Sequence, residues 1–247
     1  MSFWLPANWP APASIIAGTT TIQAGHSVKP YTGLNLAMHV GDNSEHVRQN
    51  RLLLEQELSL PRPPLWLSQR HESHVIDARQ WSANISADAC YSNQKDTVCA
   101  ILSADCLPLL LCDGDATQIA AIHVGWRGFA KNIIDRALSK FDRKHDNILA
   151  WIGPHIQAPN YEVGDEVRDA CLRAIPATEH AFCSNRKGHW LADLGALVRY
   201  QLNNRGISMV FSSNRCTYKE VDNFYSYRRE KITGRMASLI WIDSSRP

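Results

Sequence analysis

The sequence predicts a mixed α/β chain in which mixed β-sheets are covered by helices on both faces, an α/β/α sandwich. Three observations predict it. Short apolar runs of strand length recur along the chain, and segments with apolar residues three and four apart lie among them. The alternation also lacks the strict strand–helix–strand rhythm of a doubly wound fold. Three strand-like runs fall between residues 97 and 124 with no helix among them, which calls for hairpins and antiparallel pairing.

The elements follow in order. "SEHVRQNRLLLEQELSL" (44–60) reads as a helix with Ser44 as N-cap. The proline cluster "LPRPPLW" (60–66) reads as a turn, and "PLWLSQ" (64–69) as the strand it leads into. "TVCAIL" (97–102), "LPLLLC" (107–112) and "QIAAIHV" (118–124) are the next strands. In "FAKNIIDRALSKF" (129–141), Phe129, Ile133, Ile134, Ala137, Leu138 and Phe141 form one helical stripe. "NILAWIG" (147–153) is a strand, and "YEVGDEVRDACLRAI" (161–175) a helix through Val163, Val167, Ala170, Cys171 and Ala174. "LADLGALVRYQLNNRG" (191–206) is a helix that Gly206 terminates. "SMVFSS" (208–213) and "ASLIWI" (237–242) are the last strands.

Bulk properties narrow the function classes. The 247 residues suit one domain over 1–247, because no linker or low-complexity tract divides them. A formal net charge of +2, with no arginine–lysine block, gives no reason to expect a nucleic-acid partner. No apolar stretch approaches a bilayer span, and the opening "MSFWLPANWPAPAS" has no signal-peptide form, so the expectation is a cytoplasmic protein without a membrane partner. Seven scattered cysteines without a C-x-x-C pair argue against a disulfide framework.

Metal-type ligands concentrate in "SQRHESHVI" (68–76), "SADCLP" (103–108) and "AIHVGWRG" (121–128), each where an apolar run begins or ends. Strand ends are where such folds assemble sites, so His71, Cys106 and His123 can meet at one point. Three N/S ligands with a fourth position for water is a catalytic zinc pattern that lowers the pKa of bound water to about 7. His74 competes with His71, but in an extended segment the two face opposite sides. The same cysteine paired with an imidazole would serve metal-free nucleophilic catalysis. Asp105, beside Cys106, can orient a ligand, carry a proton or cap the turn.

Gly125 and Gly128 allow a tight turn with close backbone approach, and Arg127 at the following helix start offers an anion site. "FYSYRREKITGR" (224–235) places Tyr227 among Arg228, Arg229, Lys231 and Arg235, a set suited to a planar or anionic ligand. "NLAMHVGDN" (35–43) adds Asn35, His39 and Asp42 as loop or substrate residues. Walker, G-x-G-x-x-G, nucleophile-elbow and nucleobase-deaminase signatures are absent.

Together "TVCAILSADCLPLLLCD", "AAIHVGWRG", "ILAWIGPHI", "YEVGDEVRDA", "NRCTYKE" and "FYSYRREKITGRMASLI" resemble the bacterial YfiH family, also called the laccase-domain or polyphenol oxidase family and the peptidoglycan-editing-factor family. The resemblance runs from "YTGLNLAMHVGDNSEHVRQNR" to "TGRMASLIWI". It implies a metal site of His71, Cys106 and His123, also the candidate catalytic residues; the candidate substrate contacts beside them, read from the residues themselves, are Arg127 for phosphate, Arg229 or Tyr227 for base or sugar, and Asn35. It implies zinc, with copper as the alternative, and small-molecule substrates. The implied activity is phosphorolysis of adenosine, inosine or methylthioadenosine, with adenosine deamination at the same site. Phenol oxidation and peptidoglycan precursor editing are further family assignments. Laccase chemistry gathers four electrons at several coppers held by H-x-H pairs, and no H-x-H occurs here. Where the family has a Q-V-H-G run, this chain reads "QRHES", with Arg70 and Glu72 flanking His71.

Overall fold

The structure is a computed structural model that describes residues 3–142 and 147–246. Its strands are β1 (Trp4–Pro6), β2 (Ile15–Thr20), β3 (Val75–Asp77), β4 (Ala89–Ser92), β5 (Cys99–Ser103), β6 (Leu107–Asp113), β7 (Ile119–Val124), β8 (Ile148–Ile152), β9 (Glu162–Gly164), β10 (Phe182–Arg186), β11 (His189–Ala192), β12 (Met209–Ser212) and β13 (Met236–Ile242). The α-helices are α1 (Ser44–Glu57), α2 (Trp126–Ala130), α3 (Ile133–Leu138), α4 (Asp165–Ala174) and α5 (Leu194–Asn204).

The expected mixture of helices and mixed sheets is present, and its layering is sharper than the sequence suggested. A six-stranded sheet runs β12-β8-β6-β7-β4-β3, and a four-stranded sheet runs β1-β2-β13-β5. The larger sheet is mixed, with β12–β8 and β3–β4 parallel and the β8–β6–β7–β4 centre antiparallel. The smaller one is antiparallel throughout. The two sheets face each other through Ile15, Ile101 and Ile240 on one side and Leu110, Ala121 and Trp151 on the other. The opposite face of the large sheet packs on α2 to α5 through Leu109, Leu111 and Ile122 against Phe129, Ile133 and Val198. The far face of the small sheet packs Ala100, Leu239 and Trp241 under Leu54 of α1. Residues of β6 and β7 are buried on both faces, so these strands read as unbroken apolar runs rather than alternating ones.

Several expected elements change. β5 is not in a hairpin with β6: it belongs to the small sheet, so the chain switches sheets between residues 103 and 107. Residues 64–69 form only isolated bridges, Leu65 with Cys99 and Ser68 with Ser86. Pro61 and Pro63 precede the segment and Pro64 opens it, and none of them has the N–H a ladder needs. The 129–141 helix breaks at Asn132, whose φ of 60° is left-handed, leaving α2 with five residues and α3 with six. Val163 is in β9, part of the three-stranded sheet β10-β11-β9, and α4 starts only after Gly164. The N-cap of α1 is Asn43, whose side chain accepts from Glu45 N at 2.8 Å, one residue before Ser44. Gly206 does end α5's turn, with φ of +84°. β2 was missed because its apolar stretch is short: buried Ile15 and Ala17 are followed by buried Thr19 and Thr20, and Thr19 and Ser238 satisfy each other across strands at 2.6 Å. Among the described residues no helix is long and apolar enough to cross a membrane.

Candidate metal centre and its cleft

The sheet switch at 104–106 builds one side of the site. Asp105 has φ of +100°, a conformation that costs a residue with a Cβ. Its carboxylate holds that conformation by collecting three donors. Oδ1 accepts from Thr217 Oγ1 at 2.6 Å, and Oδ2 accepts from Ser226 Oγ at 3.0 Å and from Arg228 N at 2.7 Å. Its carbonyl accepts from Ile156 N at 3.0 Å. Asp105 is therefore an anchor that ties the 217–228 segment to the residue beside Cys106.

A second aspartate builds the other side. Asp88 is buried, and its Oδ1 lies 2.9 Å from His123 Nδ1, which leaves Nε2 of that imidazole for a ligand role. Oδ1 also accepts from His71 N at 2.9 Å, while Oδ2 accepts from Arg70 N at 3.1 Å and Glu72 N at 2.9 Å. The segment around His71 thus wraps its amides around one carboxylate, with His71 at a left-handed φ of 59°. Burial works against the Asp88 carboxylate, yet the His123 bond and the loop amides hold it below the usual carboxylate range.

These two anchors bring His71, Cys106 and His123 together, with ligand atoms all within 4.8 Å of one another. The imidazole rings of His71 and His123 meet edge to face, with centroids 4.8 Å apart. Burial pushes the Cys106 thiol up, but His123 and His71 outweigh it and bring the thiol down to about 6. Burial lowers His123, but Cys106 and Asp88 outweigh it and raise the imidazole to about 9. A thiolate and two imidazoles, one with its outer nitrogen fixed by a carboxylate, is a donor set that fits zinc or copper. Gly125 packs tightly under the trio: a Cβ there would lie 3.1 Å from Cys106 Sγ and 3.3 Å from His71 Cδ2, close enough that one of them would have to shift.

The trio lines a cleft of about 470 Å³, with Trp126, Tyr161 and Tyr227 as aromatic walls and Arg127, Arg228 and Arg235 as cations. Arg127 stacks on Trp126 at 4.3 Å, and Arg228 donates to Glu162 O at 2.8 Å. Of the expected substrate contacts, Arg127 and Tyr227 line the cleft. The helix start expected after Gly128 lies earlier, since α2 begins at Trp126 with Gly125 as its N-cap and Gly128 is inside it; Arg127 lines the cleft as a side chain. Asn35 lies elsewhere. It is fully buried, donates to Asp42 Oδ2 at 2.8 Å, and accepts from Ala37 N and Arg235 N. Arg229 is also turned away, donating to the carbonyls of Thr217, Tyr218 and Phe224. Both fasten loops through these hydrogen bonds, and neither is among the residues that line the cleft. His74 sits 2.6 Å from Ser86 O through Nδ1, outside the trio.

Sequence reasoning missed Asp88, the aromatic walls Trp126 and Tyr161, and Gln69, which lines the cleft while its amide pairs with the Leu102 backbone. One signal for Asp88 was present: Ser-Ala-Asp occurs twice, at 86–88 and 103–105, each time just before a strand. Tyr161 was hidden by its placement in a helical pattern, whereas it precedes β9.

Comparison with known proteins places this geometry. Residues 16–243 match the family model described as multi-copper polyphenol oxidoreductase laccase. The Escherichia coli protein named purine nucleoside phosphorylase YfiH is 43% identical over 243 residues, covering 98% of this chain and all of its own length. A Haemophilus influenzae protein named purine nucleoside phosphorylase is 38% identical, over 96% of this chain and 98% of its own. A crystal structure of a Neisseria meningitidis protein superposes with a TM-score of 0.95 at 40% identity, covering 98% of this chain and 100% of that one. With the family model spanning most of the chain and relatives of this identity aligned end to end, the chain belongs to the YfiH family.

Proposed function

We propose that the chain is a zinc-dependent purine nucleoside phosphorylase, one domain over residues 1–247 acting in the cytoplasm. Its substrates in this reading are adenosine, inosine and methylthioadenosine, with adenosine deamination at the same site. The observation that carries the reading is the cleft itself. The His71–Cys106–His123 group shares it with aromatic walls and three arginines, and Asp105, the one carboxylate among the lining residues, has its oxygens engaged by protein donors. Such a cleft favours a flat base together with an anionic co-substrate. The names of the relatives support the same class.

Phosphorolysis breaks the bond from ribose C1′ to the purine nitrogen, which leaves with the electron pair and takes a proton, while a phosphate oxygen bonds to C1′. Arg127 and Arg228 hold and orient the phosphate, and Trp126, Tyr161 and Tyr227 pack the base and exclude water. Asp105 positions Arg228 through its backbone N–H. Zinc held by His71, Cys106 and His123 would supply Lewis acidity and an acidified water.

The test is turnover of adenosine and inosine with and without phosphate, comparing wild type with Cys106→Ala. Phosphate-dependent base release lost in the variant is the expected result. Undiminished activity overturns the site assignment, and base release that needs no phosphate makes the enzyme a hydrolase. One observation favours a second reading, a metal-free cysteine hydrolase or amidase of peptidoglycan precursors: the low Cys106 pKa beside a protonated His123 is a thiolate–imidazolium pair. Stoichiometric zinc in protein purified without added metal, lost in Cys106→Ala, argues against that reading. Phenol oxidation restored by copper alone would favour the oxidase assignment that the family description carries.

A further inference from the structure

A second cavity of about 540 Å³ adjoins the cleft and shares His39, Gln69 and Leu102 with it. The purine-nucleoside reading leaves it unused, yet it is the size of a small-ligand site. Its charge is one-sided. Arg51, Arg70 and His39 line it, and no aspartate or glutamate does. Burial first, and then Arg235, Arg51 and Arg70, lower the pKa of His39, so these three arginines all bear on the junction between the cavities. Arg51 is fixed: it stacks on Trp66 at 4.1 Å and donates from Nε and Nη2 to Leu36 O. Arg70 is not. Its backbone N–H is bound to Asp88, but its exposed guanidinium makes no hydrogen bond or ion pair among the described residues. Glu72, the other charged residue flanking His71, is paired with Lys131 and leaves Arg70 uncompensated. Trp81, whose indole N–H donates to Trp66 O at 3.0 Å, adds a rigid flat wall.

An uncompensated guanidinium beside a second, fixed one, at the exit of a nucleoside-sized cleft, is a receptor for an anion tethered to the nucleoside. We infer that the second cavity is a phosphate-binding extension of the active site, and that the chain prefers purine nucleosides carrying phosphate on the sugar. Arg70 is its specificity-determining residue. The inference rests on the purine-nucleoside reading for the placement of the base, but the cavity can be tested without turnover.

The experiment measures binding of adenosine, AMP, ADP and inorganic phosphate by calorimetry at low salt, and kcat/KM for adenosine and AMP. Wild type is compared with Arg70→Val and Arg70→Glu, with melting temperature as the folding control. AMP is expected to bind about tenfold tighter than adenosine, the strength of one charge-assisted hydrogen bond, with ADP tighter still. That advantage should shrink toward unity in Arg70→Val and reverse in Arg70→Glu, and the AMP-to-adenosine ratio of kcat/KM should follow. Equal binding of AMP and adenosine in folded wild type overturns the inference, as does an AMP advantage that survives Arg70→Glu. Inorganic phosphate that binds alone as tightly as AMP, with the same Arg70 dependence, also overturns it, because the cavity would then serve the co-substrate. If neither nucleoside nor nucleotide is turned over but the Arg70-dependent binding of AMP is present, the phosphorylase reading fails and the cavity assignment stands.

Discussion

The two Ser-Ala-Asp turns invite comparison. Both deliver a buried aspartate at the start of a strand in the six-stranded sheet, Asp88 before β4 and Asp105 before β6, and both carboxylates collect backbone and side-chain donors. They serve different halves of the site. Asp88 touches two of the three candidate ligands, His71 through its amide and His123 through its imidazole. Asp105 touches none of the three side chains; it gathers Thr217, Ser226 and Arg228, the segment that carries the cleft's wall. The same three residues place a carboxylate at a strand entrance in both turns, with a left-handed backbone only at Asp105. The partners met there decide whether it braces the candidate ligands or the cleft wall.

The strongest way to break this comparison is Asp88→Asn. The variant removes the charge facing His123 Nδ1 and puts an amide among N–H donors. Zinc affinity is expected to fall about 10- to 100-fold, measured by competition with a chelator. Asp105→Asn is the control for the other half. Asparagine tolerates the positive φ, so the turn persists. Metal affinity should stay within about threefold, while KM for nucleoside rises about tenfold as Arg228 loses its charged acceptor. Loss of metal in both variants alike would erase the division between the two turns.

Gly125→Ala sharpens the geometry of the first half. A methyl 3.1 Å from Cys106 Sγ and 3.3 Å from His71 Cδ2 must displace one of them, and zinc affinity should fall about tenfold. An unchanged affinity would show that the trio has slack.

The pH dependence of metal uptake is the next test. His123, raised to about 9, is protonated at neutral pH, whereas Cys106, lowered to about 6, is already a thiolate there. Metal binding then displaces one proton, so apparent affinity rises about tenfold per pH unit between 6 and 9 and levels off above. Below 6 the thiol must also deprotonate and the slope steepens. Alkylation of the metal-free protein by iodoacetamide should increase through pH 6. A flat affinity profile between 6 and 9 would contradict the Asp88–His123–Cys106 coupling.

The smallest expected effect on chemistry comes from Asn35→Ala. Because Asn35 fastens the 35–42 segment and the Arg235 backbone from within the protein, the loss is in stability, about 1–3 kcal/mol, read as a lower melting temperature. A large rise in nucleoside KM with an unchanged melting temperature would return Asn35 to the cleft.

Much of the site was legible because its chemistry sits in residue types that need little context. Thiol and imidazole at the ends of apolar runs are recognisable donors, so Cys106, His123 and His71, the last with His74 as its rival, were candidates that the fold brings together without His74. Arg127 at a helix start and Tyr227 in an arginine-rich loop were candidates from charge and aromaticity, and both line the cleft. Asn35 and Arg229 do not: a polar side chain can face a ligand or a neighbouring carbonyl and composition does not distinguish the two. The same ambiguity hid β2, where buried Thr19 pairs with the Ser238 hydroxyl and buried Thr20 accepts from Ala237 N.

Residue chemistry alone was enough to read the apolar runs of β6 and β7 as strands of a helix-covered mixed fold and to offer His71, Cys106 and His123 as candidate metal ligands. Helices were expected on both faces of the sheet, where the small sheet in fact covers one of them. Hydropathy and donor chemistry are properties of single residues and survive without knowledge of the fold. Only the tertiary structure decided that β5 and β6 lie in different sheets, so that "SADC" is a bridge between layers rather than a hairpin turn. That crossing explains the carboxylate beside the thiol. The left-handed turn at Asp105 is held by donors from residues 217–228, more than a hundred positions away, a contact that sequence spacing does not encode.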